Sequence, residues 1–218
     1  MKLVNFDETP SLMSQLMMEM RDVNIQKDKM RFRRNLERAG EIMAYEISRT
    51  LNYNVEDVTT PLDTAKCHVI GDRVVIGTIF RAGLPFHLGF LNYFDNAENA
   101  FVSAYRRYHE VGDEFDIHIE YLATPRLDGK TLILCDPMLA TGSSMELSYR
   151  SLLTKGTPAK VHLASVIASQ QAVDYIAKVF PQENTTLWVG AIDPHLNAHS
   201  YIVPGLGDAG DLAFGIKE

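Results

Sequence analysis

The sequence predicts an α/β protein: a mainly parallel sheet with helices on both faces, preceded by N-terminal helices and carrying a β-arm. Three observations lead there. Continuous apolar runs, RVVIGTIF (73–80), TLILC (131–135), AKVHLASVIA (159–168) and TTLWVGAI (185–192), read as strands covered on both sides. Segments of helical length separate them, as in SQQAVDYIAKVF (169–180). Loops rich in Gly, Asp and hydroxyl residues follow three of the runs, where sheets of this type bind ligands.

Taken in order, residues 1–60 read as a helical part. Leu12, Leu16, Met17 and Met20 recur at helical spacing, as do Ile42, Tyr45, Ile47 and Leu51. Between them, KDKMRFRRNLERAG sets Arg31, Arg34 and Arg38 on one helical face. The simple reading is a solvated basic face; the alternative is an anion or RNA site. From Arg73 the period becomes that of strands. RVVIGTIF ends at RAG, and GLPFHLGFLNYF (83–94) follows as a loop that opens a helix. FDIHIEYL (115–122) alternates like a half-exposed strand, the acids of HEVGDEFD (109–116) make a solvated loop or the turn of a β-arm, and LDGK (127–130) is a turn. No repeat or linker divides the chain, so residues 1–218 are expected to form a single domain.

Composition bounds the rest. The chain has 218 residues, 46% hydrophobic and 22% charged, enough for one large core. No apolar run approaches the roughly 18–20 residues of a membrane span. MKLVNFDETPSLMSQ is broken by Asp7, Glu8 and Pro10 and lacks the core of a secretory signal. Cys67 and Cys135 are too few for a disulfide framework, so a cytoplasmic protein is expected. A net charge of −7 argues against a constitutive nucleic-acid binder.

The chemistry concentrates in DPMLATGSSM (136–145). Gly142 lets another group approach the backbone, while Thr141, Ser143 and Ser144 offer hydroxyls. A helix starting here presents unpaired N–H groups and a partial positive charge, a cradle for a phosphate monoester. An ordinary strand-to-helix turn with a Ser cap is the bland alternative. No Gly-Lys-Ser/Thr follows, which excludes a nucleoside-triphosphate loop, and the dinucleotide glycine pattern is missing too. Asp136, at the strand end beside the cradle, suits the hydroxyls of a phosphorylated sugar; its plain role is a turn-forming Asx. In HLNAH, His195 and His199 have the i,i+4 spacing of helical metal ligands, but a bracing loop is the better reading. Cys135 belongs to an apolar strand and reads as core.

DPMLATGSS is similar to the ribose-phosphate signature of the uracil phosphoribosyltransferases. RAGL (81–84) resembles their pyrophosphate loop, AYR (104–106) their second arginine segment, and YIVPGLGDAGD (201–211) their C-terminal base-binding loop. These four segments, in that order, cover most of the chain beyond residue 80.

The resemblance implies a phosphoribosyltransferase-type fold with a C-terminal base-binding hood (193–218), and a salvage reaction: uracil plus 5-phosphoribosyl 1-diphosphate (PRPP) gives UMP and diphosphate. By position it assigns catalysis to Arg81, Arg106 and Asp208. PRPP would be held by Arg81, Arg106, Asp208 and the run Asp136, Pro137, Met138, Leu139, Ala140, Thr141, Gly142, Ser143 and Ser144. Uracil would be read by Ile202, Gly207, Asp208 and Ala209. Mg²⁺ is implied as a companion of the substrate phosphates, with no protein-built metal site, since Cys135 and Pro137 flank Asp136 where many relatives have paired acids. A homodimer or larger homo-oligomer is implied as well, built with a β-arm. The chain departs from the family at Gly142-Ser143, where Gly-Gly is usual and Ser143 must keep a negative φ. It departs again at Pro85-Phe86-His87 after RAGL, and at Leu212-Ala213 where a charge is common. A pyrimidine-responsive RNA-binding regulator on the same scaffold, with the Arg31/Arg34/Arg38 face as footprint, is the competing reading. A purine-specific transferase ranks lower.

Overall fold

The computed structural model describes residues 1–108 and 115–217, with the backbone alone at 104–108 and 115–118. A short strand, β1 (Lys2–Asn5), precedes α1 (Leu12–Arg21), which Ser11 caps by accepting from the Met13 N–H, and α2 (Lys29–Ser48), capped by Asp28. A hairpin of β2 (Tyr53–Thr59) and β3 (Thr64–Ile70) follows. Next come β4 (Val74–Ile79), α3 (Gly83–Leu91), β5 (Glu98–Tyr108), β6 (Phe115–Ala123) and β7 (Thr131–Cys135). The chain continues through β8 (Met138–Leu139), α4 (Ser143–Leu152), β9 (Lys160–Ser169), α5 (Gln170–Val179) and β10 (Thr185–Asp193). It ends with β11 (His195–Leu196), β12 (Ile202–Val203) and α6 (Ala209–Phe214).

The main sheet runs β1-β10-β9-β7-β4-β5-β6, with β8 beside β9. Every pairing in it is parallel except β5 with β6. The expected α/β architecture is therefore present, with helices on both faces. Successive side chains of a strand point to opposite faces, and β7 shows the consequence. Ile133 and Cys135 enter the core under α1, α2 and α3, whereas Leu132 and Leu134 enter the core under α4 and α5. Phe32, Leu36, Met43 and Ile47 supply the α2 stripe, each contributing roughly 1.5–3 kcal/mol by leaving water.

One expectation needs correction. The part read as helical, 1–60, is α-helical only over Leu12–Arg21 and Lys29–Ser48, with a single 3-10 turn at Phe6–Glu8. Lys2–Asn5 pairs with Thr186–Val189 as the edge strand, satisfying one side of β10. Residues 53–59 form β2, an exposed hairpin strand paired with β3, in which Tyr53, Val55, Val58 and Thr59 favour strand over helix. His195 and His199 share no helical face, and HLNAH is a short strand and turn. His195 lies in β11, and the Asn197 side chain accepts from the His199 and Tyr201 N–H groups in the turn that follows.

The antiparallel β5–β6 pair flanks the acidic 109–116 segment, of which 109–114 lie outside the described residues. At 127–130 the expected turn closes with a Lys130 N–H to Leu127 carbonyl bond, Gly129 taking φ +69°. Among the described residues no helix is long and apolar enough to cross a membrane.

Candidate functional site

The loop after β7 opens where the sheet rule places a ligand. Asp136 Oδ1 accepts the Met138 N–H at 3.2 Å, an Asx turn that carries the chain into β8. β8 docks beside β9, and the Ser169 hydroxyl donates to the Ala140 carbonyl at 2.5 Å. Gly142 then caps α4 with φ +86°, and a Cβ there would lie 2.8 Å from the Tyr175 ring. Ser143 is the first residue of α4 and does not have a positive φ, as the departure from Gly-Gly requires. Its N–H reaches Thr141 Oγ1 at 3.4 Å, and Thr141 Oγ1 lies 3.1 Å from Ser143 Oγ. The first turn of any α-helix leaves its leading N–H groups without intrahelical acceptors, and an anion at the start of α4 would meet these amides beside Thr141 and Ser143.

Opposite stands the C-terminal segment. Asp208 caps α6, its Oδ1 accepting the Asp211 N–H at 3.0 Å, while Lys217 Nζ lies 3.7 Å from Oδ2. The Ala209 N–H meets Met138 Sδ at 3.3 Å, so the loop after β7 and the C-terminal loop touch directly. Arg81, at the end of β4, joins them. Its guanidinium donates to Asp211 Oδ1 at 2.7 Å and to the Gly215 carbonyl at 3.2 Å. Pro85 sits in the first turn of α3, where a missing N–H costs no helical bond, and Phe86 and His87 turn into the core.

These elements enclose a cavity of about 600 Å³ lined by Arg81, Asp136, Pro137, Met138, Ala140, Ser144, Tyr201, Asp208, Ala209, Gly210 and Lys217, among others. That size is ordinary for a small-molecule site. The model for the uracil phosphoribosyltransferase family matches residues 8–216. The chain belongs to the uracil phosphoribosyltransferase family. A curated uracil phosphoribosyltransferase of Porphyromonas gingivalis is 63% identical over 217 residues, covering 100% of both chains. One of Methanococcus vannielii is 36% identical over 214 residues, 97% of this chain and 89% of its own. Among solved structures, the AQ2163 protein of Aquifex aeolicus superposes with a TM-score of 0.86 at 28% identity, covering 98% of each chain.

Seen as a member of that family, the chain brings most expected residues to one place. Arg81, Asp136, Pro137, Met138, Ala140, Ser144, Asp208 and Ala209 line the cavity. Thr141, Gly142 and Ser143 form the α4 entrance beside it. Leu139 points into the core under α4 and α5, and Ile202 into the opposite core. Gly207 is exposed and, like Ile202, does not line the cavity. Arg106 lies on β5 opposite Ile117, and its side chain is outside the described residues.

Sequence reasoning missed the supports of the C-terminal segment. Asp193 is 4% exposed, accepts both guanidinium nitrogens of Arg21 at 2.7 and 2.8 Å, and accepts the Gly205 N–H at 2.7 Å. Burial pulls its carboxyl upward, but Arg21 and the Gly205 amide outweigh that and hold it below the usual value. The signal was there: Asp193-Pro194 ends a strand as Asp136-Pro137 does. Arg33 donates to the Ala213 carbonyl at 2.7 Å and Gln26 to the Leu206 carbonyl at 3.2 Å, contacts that no local pattern announces. The basic face is engaged internally: Arg31 with Glu19, Arg34 with Glu37, Arg38 with Asn35. Cys135 is buried, its thiol pushed up by desolvation and set against the Gly77 carbonyl, as core chemistry requires.

Proposed function

We propose that this chain, acting over 1–218 as one unit, transfers the phosphoribosyl group of PRPP to N1 of uracil, giving UMP and diphosphate. One observation carries the reading: Arg81, Asp136, Ser144, Asp208 and Ala209 all line a single cavity. The 5′-phosphate takes the open N-terminus of α4 with Thr141, Gly142, Ser143 and Ser144, and Asp136 takes ribose hydroxyls. The anomeric C–O bond to diphosphate breaks as the bond to N1 forms. Arg81 exchanges Asp211 for the leaving diphosphate, joined by Arg106, and fixed cations there favour the transition state over bound PRPP. Backbone groups of the C-terminal loop around Ala209 read the planar base, while Ile202 and Gly207, expected as base readers, lie just off the cavity and shape that loop. N1 gives up its proton towards Asp208 Oδ2, the oxygen not used as a helix cap, through water.

Magnesium fits this arrangement as a substrate-borne ion. Asp136 and Asp208 are the acids of the cavity, and Mg²⁺ characteristically binds through substrate phosphates with one or two carboxylates and its own waters. Among the described residues no group of three or more His, Cys, Asp or Glu stands ready as a cage. When bound, the ion neutralises diphosphate charge. The same reading carries a cytoplasmic location and a homodimer or larger homo-oligomer, which light scattering reads directly. The function itself is tested by offering Mg²⁺-PRPP with uracil, cytosine, hypoxanthine and orotate in turn. Turnover with uracil alone is expected; turnover with hypoxanthine and none with uracil would overturn the base assignment.

A further inference from the structure

We infer that Arg21 and Asp193, with Gln26 beside them, form a clamp that positions the base-reading loop from outside the cavity. The inference rests on the proposed role of that loop in binding uracil. Both polar groups of one residue, Gly205, are gripped by a single ion pair. Its N–H donates to Asp193 Oδ2 at 2.7 Å, and its carbonyl accepts from Arg21 at 3.0 Å. The two-pronged Arg21–Asp193 contact fixes the plane of the fork, which one point charge could not do. Gln26 extends the grip by one residue, bridging the Met20 and Leu206 carbonyls at 2.7 and 3.2 Å.

The place gripped is the one with least latitude. Gly205 takes φ +63°, and a Cβ there would lie 2.0 Å from the Ile202 carbonyl, so no other residue could make this bend unaltered. From Gly205 the chain reaches Asp208 and Ala209 in four residues, and both line the cavity. Arg21, Asp193 and Gln26 do not line it. They hold Gly205 and Leu206, which do not line the cavity themselves but lead directly into Asp208 and Ala209, which do; that makes them positioning residues. On the phosphate side the Asp136 turn and the Ser169 hydroxyl hold the loop. Loosening it should weaken uracil binding and leave PRPP binding intact.

The test is steady-state kinetics on full-length Asp193→Asn, Arg21→Lys and Gln26→Ala, varying uracil and Mg²⁺-PRPP separately, with a thermal melt of each. For Asp193→Asn and Arg21→Lys, KM for uracil is expected to rise about tenfold, the scale of one lost charge-assisted hydrogen bond, with KM for PRPP and kcat within about twofold. Gln26→Ala should raise KM for uracil about threefold, the scale of a neutral hydrogen bond, with the same split. Equal rises in both KM values, or a lowered melting temperature with KM for uracil unchanged, would overturn the clamp. Should the charged variants fail to fold, Gln26→Ala decides alone, and an unchanged KM for uracil there refutes it. Wild-type enzyme is the control for the underlying reading: no uracil turnover sinks that reading, whereas normal wild-type turnover without the split sinks only the clamp.

Discussion

The loop at 136–144 and the loop at 201–217 face each other across one cavity, yet they are held in different ways. The first is fixed by near neighbours: Asp136 turns the chain within two residues, Thr141 pairs with Ser143, and Ser169 of the adjoining strand holds Ala140. The second is fixed by the far end of the sequence, through Arg21 of α1, Arg33 of α2 and Gln26 of the turn between them. A phosphate binder of this kind travels as a cassette of contiguous residues. A base reader built from backbone groups has no side chains of its own to lock its shape, so other elements must do it.

Arg81 is where the two sides meet, and its loss should have the largest effect. On the proposed mechanism Arg81→Ala removes a cation that meets the leaving group, so kcat/KM should fall roughly 10²–10³-fold, the scale of one preorganised donor. A fall of less than about tenfold in an assay saturated with Mg²⁺ would mean that Arg81 serves only to tie down Asp211.

Perturbing the shared sheet should strike both loops together. His162 on β9 accepts the Trp188 Nε1–H through Nδ1 at 3.1 Å, and burial, with the Lys160 charge, depresses its pKa to about 4. The folded state thus favours neutral His162 more than the unfolded chain does. Stability is full above about pH 6.5 and drains as pH falls from there towards 4, with about 2 kcal/mol lost between pH 7.5 and 5. Guanidinium unfolding at the two pH values measures this, and His162→Asn should shrink the difference. The carboxylates held low, Asp193 among them, lose their contribution only below about pH 4, so the two windows separate.

A break confined to the phosphate side is Gly142→Ala. Left-handed strain and the clash with Tyr175 distort the start of α4, so KM for PRPP should rise roughly tenfold while KM for uracil moves little. This is the mirror image of the split expected for Asp193→Asn. The smallest effect belongs to Asp211→Asn. Weakening its pair with the part-exposed Arg81 should ease the guanidinium towards diphosphate, lowering KM for PRPP about twofold and raising KM for uracil by a similar factor. Matched changes in the same direction would show that the pair couples nothing.

The contrast also explains what the sequence could tell. β4, β7, β9 and β10 announce themselves because a strand covered on both faces must be apolar throughout, and DPMLATGSS because its chemistry is contiguous. β1 and β2 were hidden, since four residues at a sheet edge and an exposed hairpin bury too little to leave an apolar signature. The Arg21–Asp193 pair was hidden for another reason: its partners lie 172 residues apart, and a charge reads as solvated until the fold buries it.

The most direct measurement is a crystal structure with UMP bound, because that one molecule must span both loops. The 5′-phosphate is expected within hydrogen-bonding distance of the amides opening α4, with the pyrimidine edge against backbone groups of 202–209. A phosphate at α4 with the base turned away from that backbone, or the reverse, would contradict the shared site.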